Sequence, residues 1–447
     1  MKDLTKGSPV PLILSFAAPI LLGNMFQLLY NMADTRIVGS FLGDNALAAV
    51  GATGSVNNLL VGFIVGMTNG FAILTARRFG AKDYSGVRKS IGSIFTLSLI
   101  TSVFITVLGL IFLHPLLRLL NTPNELINTS AEYFSVILLG SIATMFYNTC
   151  ATILRAVGDS VTPLIFLIIS TILNVILNLI FVGVVGLGVR GSALSTVIAQ
   201  IISVVLCLNV MHKRFNNIWP KKSDFKPQLQ TVGQLYGTGI SMAMMYCLVN
   251  IGSVILQGAI NTFGQSTIIA HTAARRLTEL FMMVFSALGA TMATFVSQNF
   301  GAKKPSRIRK GIKISLIICS FVCVIVILIT YTISPYLVYM VTGTKTPQVI
   351  STAVLYLKVD TLLYFVTAMI TVFRNSLQGV GDRKTPLISS TIELLGKIAV
   401  VILLTPKLGY FGIILAEPIV WVLMVIPLIY QIATNKNFKG DDLITEN

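Results

Sequence analysis

Ile312–Ile333, IKISLIICSFVCVIVILITYTI, carries one charge, Lys313, in 22 residues. At 1.5 Å rise per residue such a helix is ~33 Å long, enough to cross a ~30 Å hydrocarbon core. The run is about twice the length of a barrel strand, so it predicts a helical span. Eleven more apolar runs stand beside it, near 10–35, 47–75, 90–113, 129–152, 162–183, 190–211, 235–261, 267–295, 351–373, 386–404 and 410–432. The reading is an all-α membrane protein of twelve transmembrane helices. Composition agrees: 54% of the 447 residues are hydrophobic and 11% charged, half the charged share of a soluble domain. A soluble enzyme is excluded.

With twelve spans the connections alternate sides, which sorts the 33 basic residues: 24 fall on one side and five on the other, with Arg275, Arg276, Lys358 and Lys397 inside spans. The basic side is expected to be cytoplasmic and to hold both termini, in the cell membrane. The formal charge of +17 then reads as an orientation signal, and no nucleic-acid partner is called for. The N-terminal apolar stretch runs on to Tyr30, too long for a signal-peptide core, and reads as a retained first span. Five cysteines lie in apolar runs and imply no disulfide framework. Cys319 and Cys323 share a helix face without a His or acid beside them, and read as packing residues.

The chain repeats itself. Phe79-Gly80-Ala81-Lys82 with Arg88-Lys89 recurs 221 residues on as Phe300-Gly301-Ala302-Lys303 with Arg309-Lys310. Gly158-Asp159 with Thr162-Pro163 recurs at 223 as Gly381-Asp382 with Thr385-Pro386, and Gly188 with Gly191 recurs at 221 as Gly409 with Gly412. Six spans is an even number, so both copies enter the membrane the same way round. The expected architecture is two parallel six-helix repeats, an N-lobe (1–212) and a C-lobe (234–447), around a central cavity, with 213–233 as a cytoplasmic linker.

Asn31-Met32-Ala33-Asp34-Thr35-Arg36-Ile37-Val38-Gly39, Leu154-Arg155-Ala156-Val157-Gly158-Asp159, Ala270-His271-Thr272-Ala273 and Gln298-Asn299-Phe300-Gly301-Ala302 resemble the multidrug and toxic compound extrusion (MATE) transporters, over nearly the whole chain and closest to their bacterial DinF-like branch. The resemblance implies an efflux pump in which proton or sodium entry drives export of amphipathic, often cationic compounds by alternating access.

A charge at mid-bilayer costs at least ~2.5 kcal/mol on insertion scales, so the acids inside spans are the functional candidates: Asp34, Glu279, Asp360, Glu393 and Glu417. Asp34 stands 15 residues after Pro19, on a helix that the proline is expected to kink. A carboxylate that alternates between two surroundings has two proton affinities, and that difference couples an ion gradient to a conformational change. The resemblance implies partners for it in Asn148, Asn174 and Thr196. In the family's Asn-x-x-x-Asp pair, however, this chain has Asn174 and Asn178. One carboxylate with neutral neighbours favours a proton; sodium at Asp34 is the alternative.

The offsets map Asn174 to Lys397 and Thr196 to Glu417, so these two charges are expected side by side in the C-lobe, with Glu393 one turn before Lys397. Glu279 follows Arg276 by three and Arg275 by four, and reads as a local pair or a cavity group. Asp360, two residues from Lys358, cannot face it and is expected near outward-facing water. Without a phosphate-binding glycine loop or a converging set of His, Cys or acids, the reading is a cofactor-free, gradient-driven monomeric exporter of small amphipathic substrates, not an enzyme. The alternative is a flippase of lipid-linked saccharides or other lipid-like substrates.

Overall fold

The computed structural model describes residues 2–120 and 122–439. The N-terminal half contains α1 (Pro9–Ala52), α2 (Gly54–Gly80), α3 (Tyr84–Leu119), α4 (Asn124–Leu139), α5 (Ser141–Ala156), α6 (Val161–Asn178) and α7 (Gly188–Arg214). The second half contains α8 (Leu229–Ile260), α9 (Gln265–Gly301), α10 (Pro305–Thr342), α11 (Pro347–Leu362), α12 (Tyr364–Gly379), α13 (Lys384–Leu403), α14 (Thr405–Leu408), α15 (Tyr410–Ile414) and α16 (Ala416–Thr434). No strand occurs among the described residues. Ten segments are each long and apolar enough to cross a membrane, and the pairs α4–α5, bent by 45°, and α11–α12, bent by 52°, each make one broken span. The protein is thus an all-α, twelve-span membrane protein built as two six-span repeats. The first span outruns its expected end at 35, continuing to Ala52 through a break at Gly43.

The duplication extends to the backbone. The two bends fall at Gly140 and Leu363, 223 residues apart. Left-handed φ values recur in pairs: Gly43 and Gly264 (79° and 85°), Lys82 and Lys303 (59° and 57°), Gly158 and Gly381 (87° and 82°), Gly188 and Gly409 (60° and 59°). A lysine held at positive φ is strained, and twice in one position it marks a shared turn. The Gly-Asp-x-x-Thr-Pro echo is a helix cap. Asp159 accepts from the Thr162 amide (3.0 Å) and hydroxyl (2.7 Å), and Asp382 accepts identically from Thr385.

Two compact units result: one of residues Met1–Asp3 and Ala18–Ala243, the other of Leu4–Ala17 and Met244–Asn447. The units therefore divide ahead of α1, between Asp3 and Leu4, and within α1 and α8, whereas the sequence boundaries of 212 and 233 lie in the connection between repeats. In the first unit, Asp224 of that connection pairs with Arg88 on α3 (2.7 Å). In the second, residues 4–7 are held against the start of α10: Arg307 donates to the carbonyls of Leu4 (3.1 Å), Lys6 (3.0 Å) and Gly7 (2.6 Å), and Gln298 Oε1 accepts from the Leu4 amide (3.1 Å).

Small residues set a close backbone-to-backbone helix contact in the first unit. Gly66 and Gly70 on α2 meet Gly239 and Ala243 on α8: a Cβ on Gly66 would lie 2.5 Å from Ala243 Cα, and one on Gly70 2.5 Å from Gly239 Cα. Small residues four apart allow this backbone approach in a lipid-facing bundle. Gly66→Val should cost about 1–3 kcal/mol by overpacking, read as a lower unfolding midpoint in detergent. Gly51→Val, whose Cβ meets nothing within 4 Å, should leave the midpoint near wild type.

Candidate functional site

In the first unit a cavity of about 440 Å³ opens between α1, α2, α4, α5, α6 and α7. Asp34 lines it, together with Tyr30, Asn148, Arg155, Thr196, Gln200 and the carboxamides of Asn24, Asn57 and Asn58. Local structure places the acid's partners. α6 ends at Asn178 and passes into a π-helical turn, Leu179–Val184, an irregularity that recurs at functional sites. Ser192 follows in the first turns of α7. Asn178 Nδ2 donates to Asp34 Oδ1 (2.5 Å), and the Ser192 hydroxyl donates to the same oxygen (3.0 Å).

A second layer backs the first. Asn174 Nδ2 donates to Ser195 Oγ (3.3 Å) and Thr196 Oγ1 (3.1 Å), and Thr196 Oγ1 lies 2.9 Å from Tyr30 Oη. Asn174 and Asn178 are buried, and Asp34 is half-buried at the cavity wall. Among the described residues Asp34 takes part in no ion pair. It is a carboxylate steadied by neutral donors and open to a cavity, and such a group can exchange a cation without first breaking a salt bridge.

Of the residues expected around Asp34, the structure thus brings Asn174, Asn178 and Thr196 into one hydrogen-bonded group. Asn148 lies apart: its Nδ2 donates to the Thr144 carbonyl one turn back on α5 (2.8 Å), although it lines the same cavity. Ser192 and Tyr30 belong to the group and carry no mark in the sequence.

In the second unit Lys397 Nζ lies 3.0 Å from Glu393 Oε1 and 3.2 Å from Glu417 Oε1, so the charges mapped by the repeat do meet. Arg275 reaches Glu417 (3.5 Å), not Glu279, and Arg374 approaches Glu393 (3.9 Å). Glu279 stands outside this network. Its side chain is 51% exposed and paired with Arg276 at 3.6 Å. Asp360 departs from the expectation of outward-facing water: it is buried and accepts from Tyr364 Oη (3.1 Å) and Thr278 Oγ1 (3.3 Å). Tyr364 is four residues on, across the bend into α12, but Thr278 on α9 is 82 residues away and lies beyond a local reading. His271 is a buried packing group, 3.0 Å from Tyr410 Oη and edge-on to Tyr356. No set of three or more His, Cys, Asp or Glu residues suited to a metal occurs among the described residues.

A duplicated twelve-span bundle with an acid-lined cavity in its first repeat defines a polytopic membrane transporter. The MatE family profile matches residues 19–180 and again 241–403, once in each repeat, and the chain belongs to that family. The probable multidrug resistance protein YoeA of Bacillus subtilis is 27% identical over 71% of this chain and 70% of its own length. A Shewanella oneidensis protein named FAD transporter is 23% identical over 94% of this chain and 93% of its own. Among solved structures, a MATE transporter in the bent conformation superposes with a TM-score of 0.88 at 23% identity, covering 96% of this chain and 97% of that one. That likeness concerns the fold.

Proposed function

We propose that the protein is a secondary active exporter of amphipathic, drug-like compounds, cations among them, driven by proton entry through alternating access. It works in the cell membrane with both termini on the cytoplasmic side, as the 24 to 5 distribution of basic residues supports. The observation that carries the reading is Asp34: a carboxylate on the wall of a 440 Å³ cavity, held by Asn178 and Ser192. A proton needs one such oxygen, whereas sodium is better served by several negative ones, and Asn178 removes the second acid. Relatives whose names refer to multidrug resistance support the choice of cargo.

Proteoliposomes loaded with a fluorescent lipophilic cation, given an inward proton or sodium gradient separately, test this. The expected result is export with the proton gradient alone. Export with sodium alone would contradict the ion, and export with neither would contradict gradient coupling.

A further inference from the structure

The duplication places a different chemistry at the same point of the second unit. Asn174 and Thr196 of the first repeat map to Lys397 and Glu417 at offsets of 223 and 221. In the first unit the two are neutral and hydrogen-bonded to one another. In the second the Lys397 stem packs against Gly252 on α8, where a Cβ would lie 3.0 Å from Lys397 Cδ. Its ammonium then lies within 3.2 Å of both Glu393 and Glu417.

Arg275 faces Glu417 and Arg374 faces Glu393, so with Lys397 three bases stand around the two glutamates, while Asp360 is held by the Thr278 and Tyr364 hydroxyls. Among the described residues Lys397 is the one cation paired with both glutamates, and it is 1% exposed. Stability alone is a weak account of this arrangement, because apolar side chains of similar volume usually serve a buried site at least as well.

We propose that Lys397 is a built-in counter-ion, a tethered ammonium occupying a monovalent-cation site formed by Glu393 and Glu417, so that this pair takes no exchangeable ion and coupling is left to Asp34. Removing the ammonium should open that site to sodium or to a small alkylammonium ion. The coupling half of this statement rests on the function proposed above; the site itself does not, and is tested by binding.

The test uses purified full-length protein with Asp34→Asn as background, so that the first unit contributes no ion response. Thermal unfolding is followed at constant ionic strength while choline is replaced by sodium or methylammonium. Asp34→Asn/Lys397→Ala should be stabilised by one or both small cations, whereas Asp34→Asn alone should not respond. A folded double variant that ignores both would overturn the proposal. Should the alanine variant fail to fold, the charge-balanced Glu393→Gln/Lys397→Gln pair, with Asp34 intact, decides. It should retain gradient-driven transport with an unchanged ion-to-cargo ratio, and loss of transport in a folded protein would overturn the counter-ion role.

Discussion

Asp34→Asn should abolish uphill export while leaving the protein folded. A driving force equivalent to 100 mV is worth about 2.3 kcal/mol per elementary charge, which sustains roughly fifty-fold accumulation when one ion is exchanged for one cargo molecule. The amide is nearly isosteric with the acid and keeps an oxygen to accept from Asn178 and Ser192, but it cannot gain and lose a proton. Accumulation in proteoliposomes should therefore fall from tens-fold to about one, with downhill exchange of cargo retained. Because Asp34 has no ion pair to lose among the described residues, the unfolding midpoint should shift little. A matching drop in midpoint and transport would instead mark the residue as structural.

The second large effect is expected from Asn178→Asp. Asn178 Nδ2 donates to Asp34 Oδ1, so the substitution sets two carboxylates at hydrogen-bond distance in a buried place where like charges repel. They relieve the repulsion by sharing a proton or by binding a cation between them. With Ser192 and Thr196 hydroxyls nearby, the oxygen count rises toward what sodium requires. Transport by the variant should thus become sodium-driven where wild-type transport is expected to follow the proton gradient, measured as export under a sodium gradient at symmetric pH. An unchanged ion preference would mean that position 178 does not select the ion.

The spans and their duplication are legible in the sequence because they are low-resolution properties: a bilayer fixes the length of an apolar run, and repeated turn motifs survive as Gly, Asp and Pro. The same repeat predicts that Lys397 and Glu417 meet, a contact between α13 and α16 that no local pattern contains. What escapes has a physical reason in each case. Ser192 and Tyr30 look like any hydroxyl that knits helices together. Arg275 has an acid four residues ahead, so its true partner, Glu417 on another helix, is hidden behind a plausible local one. The compact units divide inside α1 and α8, where a continuous apolar helix shows no boundary. The division in α1 falls beside Pro19 and that in α8, between Ala243 and Met244, beside no such mark.

In the proton-driven exchange proposed above, Asp34 on the cavity wall carries the coupling proton and is expected to give it up when cargo binds. Proton release on adding cargo to weakly buffered, detergent-purified protein measures this without a membrane or a gradient. Wild type should release protons saturably with cargo, and Asp34→Asn should bind the same cargo and release none. Equal release from both proteins would mean that Asp34 does not carry the coupling proton.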